Sequence, residues 1–218
     1  MRFRHPLNDI LGRRSKIVLL RHMVLFRKEC TGRELAGYTG LDHKTCHEAL
    51  RDLRRHRVID LRRIGTATAY SLRADHPIIR EVLLPAFEWE RNLIDRFARD
   101  VRKLLGPDAL SIILFGSVAR GTEEPESDVD LMIVTRDRPT ARALNRKVGP
   151  IMVSLADTYG RVPQFIVRDV RTFRAAFRRQ DPLFSEIVAA GRVLAGLPFR
   201  EILKHGRKAR GRETDSPR

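Results

Sequence analysis

The chain has 218 residues, enough for one large domain or two small ones, and its formal net charge of +16 favours a polyanionic partner such as nucleic acid or nucleotide. Its two cysteines, Cys30 and Cys46, lack the paired spacing of a disulfide framework, which argues against a disulfide-built secreted protein. The basic N-terminus has no signal-peptide pattern, and no apolar run approaches the roughly 20 residues of a membrane span. We therefore expect a cytoplasmic protein with no membrane partner.

Three helices are predicted in the first part of the chain. Apolar residues recur at helical spacing from Ser15. Thr31 and Glu34 then have the spacing of a capping box, and the short helix that they start is closed by glycines 37 and 40. Asp42 is a good N-cap for a third helix, of which Cys46, Leu50 and Leu53 form the apolar face.

The third helix has a polar and basic outer face. The candidate contact residues on it are His43, Lys44, Thr45, His47, Arg51, Arg54 and Arg55. The segment VIDLRRIGTATAYSLR follows and alternates like two strands with a turn near Gly65.

Three helices followed by a two-stranded ribbon resemble the winged helix-turn-helix family, over about Ser15 to Arg73. The resemblance implies that Asp42 to Arg57 is a recognition helix in the major groove of duplex DNA, with Arg62, Arg63 and Thr66 as a wing on the phosphate backbone. The alternative is a winged helix used only for packing or dimerisation. Winged-helix regulators commonly bind as symmetric dimers, so a homodimer is expected, with the helix from about Pro85 to Leu105 as a candidate interface.

A metal site is a second interpretation of the third helix. His43, Cys46 and His47 lie at i, i+3 and i+4, a spacing that can hold a metal ion. However, Cys46 falls on the apolar face and only three ligands are local. We therefore predict a buried cysteine beside two histidines that face the groove.

The second part of the chain has the pattern of a sheet with helices. A long helix is predicted at about 85–105, and ALSIILF, DVDLMIVT and VPQFIVR are predicted strands. Helices are predicted between and after the strands, including one over PLFSEIVAAGRVLAG. The mixed order gives an α/β or α+β domain. We place the domains at 1–76 and 77–199, with a basic, disordered tail at 200–218.

The stretch LFGSVARGTEEPESDVDLMIV, residues 114–134, has the residues of a nucleotide site. Gly116 lets the backbone leave a strand sharply, and Ser117 begins a helix whose free N–H groups favour phosphate. Asp128 and Asp130 lie two apart on a strand and point the same way, so their charges repel. A divalent cation such as Mg²⁺ relieves this repulsion and bridges to substrate phosphates.

This stretch resembles the minimal nucleotidyltransferases of the DNA polymerase beta superfamily, whose pattern is Gly-Ser, a spacer, then Asp-x-Asp at a strand start. The resemblance covers about residues 85–196. It implies that Gly116 and Ser117 bind nucleotide phosphates, with Arg120 and Ser127 as further nucleotide contacts, and that Asp128 and Asp130 are catalytic and bind Mg²⁺ or Mn²⁺. The expected fold class is α+β or mixed, a winged helix-turn-helix joined to a nucleotidyltransferase-fold domain with a short mixed sheet.

The sequence departs from the family where active members have a third carboxylate, on a later strand. The matching strand is VPQFIVR, whose nearest residues are Gln164 and Phe165, and neither is a base. Asp157 precedes the strand and Asp169 follows it, and we expect neither to take the role. Two-metal chemistry needs both ions placed closely, so nucleotide binding should survive this loss more readily than turnover.

Two functions remain open. In the first, the protein binds DNA and moves a nucleoside monophosphate from an NTP, by preference ATP, to a hydroxyl of protein, RNA or a small molecule. Relatives of this domain often modify a toxin, which makes a toxin partner a candidate acceptor. In the second, it is a DNA-binding transcriptional regulator whose impaired transferase domain senses nucleotide or mediates assembly. A P-loop ATPase is disfavoured, because no Walker-type glycine-lysine motif occurs.

Overall fold

The computed structural model describes residues 4–124 and 126–204. Their contacts form two compact units, one up to Leu93 and one from Ile94 onward. The predicted boundary after residue 76 is therefore too early. Ile79, Leu83 and Phe87 are buried in the core of the first unit, and their apolar side chains make the helical segment after residue 76 a part of it.

The first unit consists of helices followed by a β-ribbon. Its elements are α1 (Pro6–Leu11), α2 (Arg14–Phe26), β1 (Cys30–Thr31), α3 (Gly32–Thr39), α4 (His43–Arg55), β2 (Ile59–Ile64), β3 (Ala67–Leu72), a π-helical turn (Ile79–Leu83) and α5 (Leu84–Arg91). The strands form an antiparallel sheet in the order β1-β3-β2. Helices α2 to α4 with the ribbon β2–β3 make a winged helix-turn-helix fold, as the sequence predicts.

The predicted N-caps determine where helices α3 and α4 begin. Thr31 accepts a hydrogen bond from the Glu34 N–H, and the Glu34 carboxylate accepts one from the Thr31 N–H at 2.7 Å. Gly40 ends α3 with a positive φ of 65°, and Asp42 then caps α4 by accepting from the Thr45 N–H at 2.9 Å. These local bonds satisfy N–H groups that a helix start leaves without partners.

An ion pair between a buried lysine and a partly exposed aspartate joins α4 to α2. Lys16 of α2 is buried, and its ammonium pairs with Asp52 of α4 and donates to the Asp9 carbonyl. This contact fixes the inner side of α4 and leaves its basic side to solvent.

The second unit is a four-stranded sheet covered by helices. Its elements are α6 (Leu93–Leu105), a 3₁₀ turn (Gly106–Asp108), β4 (Ala109–Phe115), α7 (Gly116–Arg120), β5 (Val129–Thr135), α8 (Arg138–Tyr159), β6 (Pro163–Asp169), α9 (Val170–Arg178), α10 (Pro182–Ala190), β7 (Arg192–Gly196) and α11 (Phe199–Lys204). The strand order is β6-β5-β4-β7; β5 and β6 are parallel, and β4 is antiparallel to both β5 and β7.

Each face of this sheet has its own core, as alternation along the strands requires. Leu131 and Ile133 of β5 pack in one cluster, which also contains Leu144 of α8. Met132 and Val134 pack in the other, with Phe173 of α9. The mixed sheet confirms the predicted α+β class.

Two helix predictions are wrong in part. The helix predicted at about 85–105 is interrupted at Asn92, whose backbone is not helical. Phe87, Phe97 and Val101 are buried in the cores of the units, whereas Trp89 and Leu104 are exposed. Much of the apolar surface of this segment is thus used within the units, and a dimer interface on it stays a prediction. The helix predicted over residues 182–196 ends at Ala190, because residues 192–196 pair with β4 as an edge strand.

The predicted tail is wrong over its first five residues, 200–204. Phe199–Lys204 is helical, and Ile202 is fully buried against the sheet. Residues 200–204 are therefore part of the folded unit and not of a disordered tail. The rest of the predicted tail, residues 205–218, lies outside the described residues. Within the residues described, none of the helices has the length and apolar content to cross a membrane.

Candidate functional site

The Gly-Ser and Asp-x-Asp residues meet at one end of the second unit's sheet. Phe115, the last residue of β4, lies opposite Asp130 near the start of antiparallel β5. Gln164 lies beside Asp130 on parallel β6. The strand register thus brings Gly116, Asp130 and Gln164 to the same end of the sheet.

Gly116 lies directly against the Asp130 carboxylate. Its φ is +73°, and a Cβ at this position would lie 2.2 Å from Asp130 Oδ2. An alanine here would meet both a disfavoured backbone conformation and a collision. The close approach explains why a glycine must stand between β4 and α7.

Asp128 and Asp130 form an acidic pair with excess negative charge. Asp128 is exposed and Asp130 is half-buried. The pKa of Asp130 is raised above its usual value by burial, then by the negative charge of Asp128 and, more weakly, of Glu186, while Arg120 opposes the shift. A cation bound between such hard oxygen donors offsets this charge, so the pair suits Mg²⁺ or Mn²⁺.

The described residues add no third His, Cys, Asp or Glu ligand to the pair of Asp128 and Asp130. Among residues 4–124 and 126–204, no group of three or more His, Cys, Asp or Glu side chains is placed to hold a metal ion. The amide of Gln164 occupies the strand position beside Asp130, and its Nε2 donates a long hydrogen bond to Asp128 Oδ2 at 3.5 Å.

Asp169 is used elsewhere in the fold. It lies opposite Thr135, at the far end of the β5–β6 pair from Asp130. Although burial raises its pKa, hydrogen bonds from the Thr172 hydroxyl and from the Thr172 and Arg171 N–H groups lower it overall. It caps α9 and does not reach the site, as expected, while Asp157 is exposed on α8.

Ser127 and Arg161 shape the loop that leads into Asp128. The Ser127 hydroxyl accepts from the Glu124 N–H at 2.9 Å. Arg161 donates to the carbonyls of Glu124, at 3.2 Å, and of Ser127. Sequence reasoning missed Arg161, because nothing in its local pattern relates it to a loop more than thirty residues earlier.

Arg120 of α7 is held by a second residue that the sequence did not indicate. Its guanidinium forms an ion pair with Glu186 of α10, and both side chains are about half exposed. Both charges act on Asp130, with opposite effects on its pKa. The predicted phosphate contact of Arg120 therefore competes with an existing partner.

The first unit presents the predicted basic face to solvent. The exposed residues of α4 are His43, Lys44, His47, Arg51, Arg54 and Arg55, with Glu48 among them. Thr45 is half-buried, and Arg63 on the wing is exposed. Arg62 is exposed too, but it forms an ion pair with Glu29 at 2.6 Å, and the carboxylate partly neutralises its positive charge.

Cys46 is buried, as predicted. Its thiol contacts the Gly32 carbonyl at 3.6 Å, and burial, followed by the charge of Asp42, raises its pKa. The sulfur thus points to the core, whereas His43 and His47 are on the exposed side.

Comparison with known proteins identifies the second unit. Residues 94–182 match the family model of the nucleotidyltransferase domain. MJ1305 of Methanocaldococcus jannaschii, provisionally named a protein adenylyltransferase, is 44% identical over 57 residues, which is 26% of this chain and 39% of that protein. MJ0141 of the same organism, named likewise, is 40% identical over 51 residues, 23% of this chain and 52% of that protein. The chain thus spans about half the length of these relatives or less.

Solved structures are similar to parts of the chain. Rv0081 of Mycobacterium tuberculosis is 30% identical, with a TM-score of 0.34, over 43% of this chain and 91% of that one. A toxin-antitoxin crystal structure with AMP-PNP is 22% identical, with a TM-score of 0.33, over 49% of this chain and 81% of that one. From the family match and the topology described above, the chain carries a nucleotidyltransferase domain at residues 94–182, preceded by a winged helix-turn-helix fold.

Proposed function

We propose that the protein is a DNA-bound, Mg²⁺-dependent nucleotidyltransferase that moves AMP from ATP to a hydroxyl group of a protein. The observation that carries the proposal is the Asp130 carboxylate seated on the Gly116 backbone with Asp128 beside it. An acidic pair in which burial and the neighbouring charge raise the pKa of Asp130, next to a glycine at a helix start, is suited to a cation and the phosphates that it brings.

Each residue of the site has a part in this function. Asp128 and Asp130 would hold the cation, which neutralises phosphate charge when it is bound. The backbone N–H groups at Gly116 and Ser117 would donate to phosphate oxygens. Arg120 would leave Glu186 for the triphosphate, whereas Ser127 acts on the loop that places Asp128.

The reaction balances as a simple displacement. The acceptor oxygen attacks the α-phosphorus of ATP, the bond to the bridging oxygen breaks, and pyrophosphate leaves. The acceptor proton must pass to solvent or a nearby base, and Gln164 cannot take it, because an amide is not a base at neutral pH.

The choice of ATP and a protein acceptor is supported by the names of the two Methanocaldococcus jannaschii relatives. RNA and small-molecule hydroxyls are the other acceptor classes that the chemistry allows. A toxin as the protein partner stays a prediction, as does homodimerisation.

DNA binding is supported by the exposed basic side of α4. Cations on one side of a helix in this fold can contact the phosphates and base edges of a major groove. Lys44 and Arg51, which form no ion pair within the described part of the chain, are the leading candidates.

The test is transfer of label from α-³²P-ATP. The protein is incubated with ATP, Mg²⁺ and candidate acceptors, and the Asp128→Asn/Asp130→Asn variant is the matched control. Label that is sensitive to protease, resistant to ribonuclease and absent with the variant supports the proposal. If the wild type binds none of the four common NTPs with Mg²⁺ or Mn²⁺ at millimolar concentration, the proposal fails.

Gln164 favours a second candidate function. With an amide beside Asp130, the domain could bind nucleotide without turnover and serve a DNA-binding regulator as a sensor. In that case ATP with Mg²⁺ would bind and change the affinity for DNA, while no acceptor became labelled. Measuring both quantities on one preparation separates the two functions.

A further inference from the structure

A row of arginines lies on α8, away from the nucleotide site. Arg138, Arg142 and Arg146 recur every fourth residue, so they share one side of the helix and rise about 6 Å at each step. All three are exposed, and Lys147 beside them is exposed as well. We call Arg138, Arg142 and Arg146 the α8 stripe.

Within the described part of the chain, the stripe has no carboxylate partner. None of its arginines forms an ion pair or side-chain hydrogen bond within the described residues, although many other arginines do, such as Arg120, Arg161 and Arg192. The nearby Asp137 is engaged in capping α8, where it accepts from the Thr140 N–H at 2.9 Å. No acidic residue occurs on α8 before Asp157.

The strand directions separate the stripe from the nucleotide site. Asp130 is near the start of β5, whereas α8 begins just beyond Thr135, the last residue of that strand. The stripe occupies the first half of α8 and therefore starts at the opposite end of the sheet. Arg138, at the start of α8, therefore lies at the other end of the sheet from the place proposed for the ATP phosphates.

The surroundings of the stripe fit a phosphate backbone better than a protein partner. The other exposed residues from Arg138 to Gly149 are small or polar, apart from Pro139, and the large exposed apolar side chains of α8 begin only at Val153. Protein interfaces usually have an apolar centre, whereas DNA backbone contacts need regularly spaced cations. The stripe is about 12 Å long, which corresponds to three or four phosphates of one strand at 3.4 Å each.

We propose that the α8 stripe binds the sugar-phosphate backbone of duplex DNA, as a second DNA contact in the nucleotidyltransferase unit. The inference rests on the DNA binding proposed for the winged helix. It adds a sequence-independent contact that raises affinity and salt dependence without base recognition.

The test compares two triple variants of the full chain. The first is Arg138→Gln/Arg142→Gln/Arg146→Gln. The control is Arg96→Gln/Arg99→Gln/Lys103→Gln, which removes the same charge from α6, where Asp95 and Asp100 stand among the cations. Binding to a random-sequence duplex DNA and to a duplex RNA is titrated across salt concentrations, with thermal melting as a check of folding.

Loss of the stripe should reduce the log–log salt slope by about 2 to 3 on duplex DNA, because about 0.9 is lost for each phosphate contact. The control should change the slope by less than about 1. An equal effect of both variants would show a dependence on net charge alone and overturn the inference, and so would an effect confined to RNA. If the wild type binds no DNA, the proposed DNA function fails; if it binds DNA and the stripe variant is unchanged, only the inference fails.

Discussion

At the scale of single residues, the contact between Gly116 and Asp130 decides how the site is built. Gly116 has a positive φ, and its missing side chain leaves the space that the Asp130 carboxylate fills. Gly121, five residues on, also has a positive φ, but a Cβ there would meet nothing within 4 Å. The two glycines allow backbone strain and collision to be measured separately.

Gly116→Ala should therefore lose metal-dependent ATP binding, and Gly121→Ala should keep it. Both variants should lose about 1–2 kcal/mol of stability from the left-handed conformation. Gly116→Ala should lose more, because its methyl group displaces the Asp130 carboxylate. Calorimetric titration with ATP and Mg²⁺ and thermal melts test this pair, and equal ATP binding by both variants would contradict it.

Asp130→Asn removes one charge and keeps the shape of the side chain. ATP binding in Mg²⁺ should weaken by about tenfold or more, since a charged oxygen ligand is lost. Asp157→Asn, a change at an exposed carboxylate of the same unit, should leave binding unchanged. If Asp130 served only the fold, the variant would melt at a lower temperature and bind ATP normally.

The raised pKa of Asp130 also gives a sign for the pH dependence of stability. The folded state holds this proton more tightly than the unfolded state, so the contribution is full below the unfolded pKa. It is lost as pH rises through the folded pKa. In the absence of metal, Asp130→Asn should flatten this fall and should be as stable as the wild type or more so at neutral pH, as melts over a pH series would show.

At the scale of elements, the register of β5 and β6 decides which residue accompanies the acidic pair. Parallel pairing sets Gln164 beside Asp130 and carries Asp169 to the other end of the strands. A one-residue change of register would turn another side chain to this face. The lack of a carboxylate base beside Asp130 thus depends on the residue at this one position, 164.

Gln164→Glu should place a carboxylate at that position. If the proposed transfer is limited by the lack of a base, the rate of label transfer should rise by about tenfold or more, within the range of general-base effects. Gln164→Leu, which removes the amide and adds no charge, is the control. A Gln164→Glu variant that binds more Mg²⁺ and ATP but transfers no label would favour the regulatory function.

The helix α4 is the element on which the proposed DNA binding depends. Its cap at Asp42 and the ion pair of Asp52 with the buried Lys16 set its position without using its basic side. Lys44→Ala with Arg51→Ala should weaken binding to duplex DNA and leave the melting temperature almost unchanged, because both residues are exposed. Electrophoretic mobility shifts measure the loss, and an unchanged affinity would point to a winged helix used for packing alone.

At the scale of the whole molecule, the net charge of +16 sets the long-range behaviour. The affinity for a polyanion should rise steeply as the salt concentration falls. About five phosphate contacts would give a slope of about −4 to −5 for the logarithm of the binding constant against the logarithm of the salt concentration. Titrations of duplex DNA over a range of salt concentrations measure this slope. No shift of any duplex at about 50 mM salt, across a random-sequence selection, would remove DNA from the function.

Local patterns in the sequence were sufficient for many of these features. The capping box of Thr31 and Glu34, the Asp42 cap and the turn at Gly65 were predicted because their hydrogen bonds and dihedral angles depend on neighbouring residues. The Gly-Ser and Asp-x-Asp spacing predicts a candidate site for the same reason, since it describes one strand-helix-loop-strand segment.

Only the tertiary structure decided which distant residues complete the site and where the units divide. Glu186 and Arg161 reach the site through helix packing and a loop contact, neither of which leaves a local signal. The strand register decided between Gln164 and Phe165, which the sequence left open. The same holds for Ile79 and for the strand Arg192–Gly196, whose apolar residues fit a helix or a strand until a partner surface is present. Short-range hydrogen bonds can be predicted from neighbouring residues in the sequence. Burial and strand register depend instead on which distant segments of the chain pack against an element.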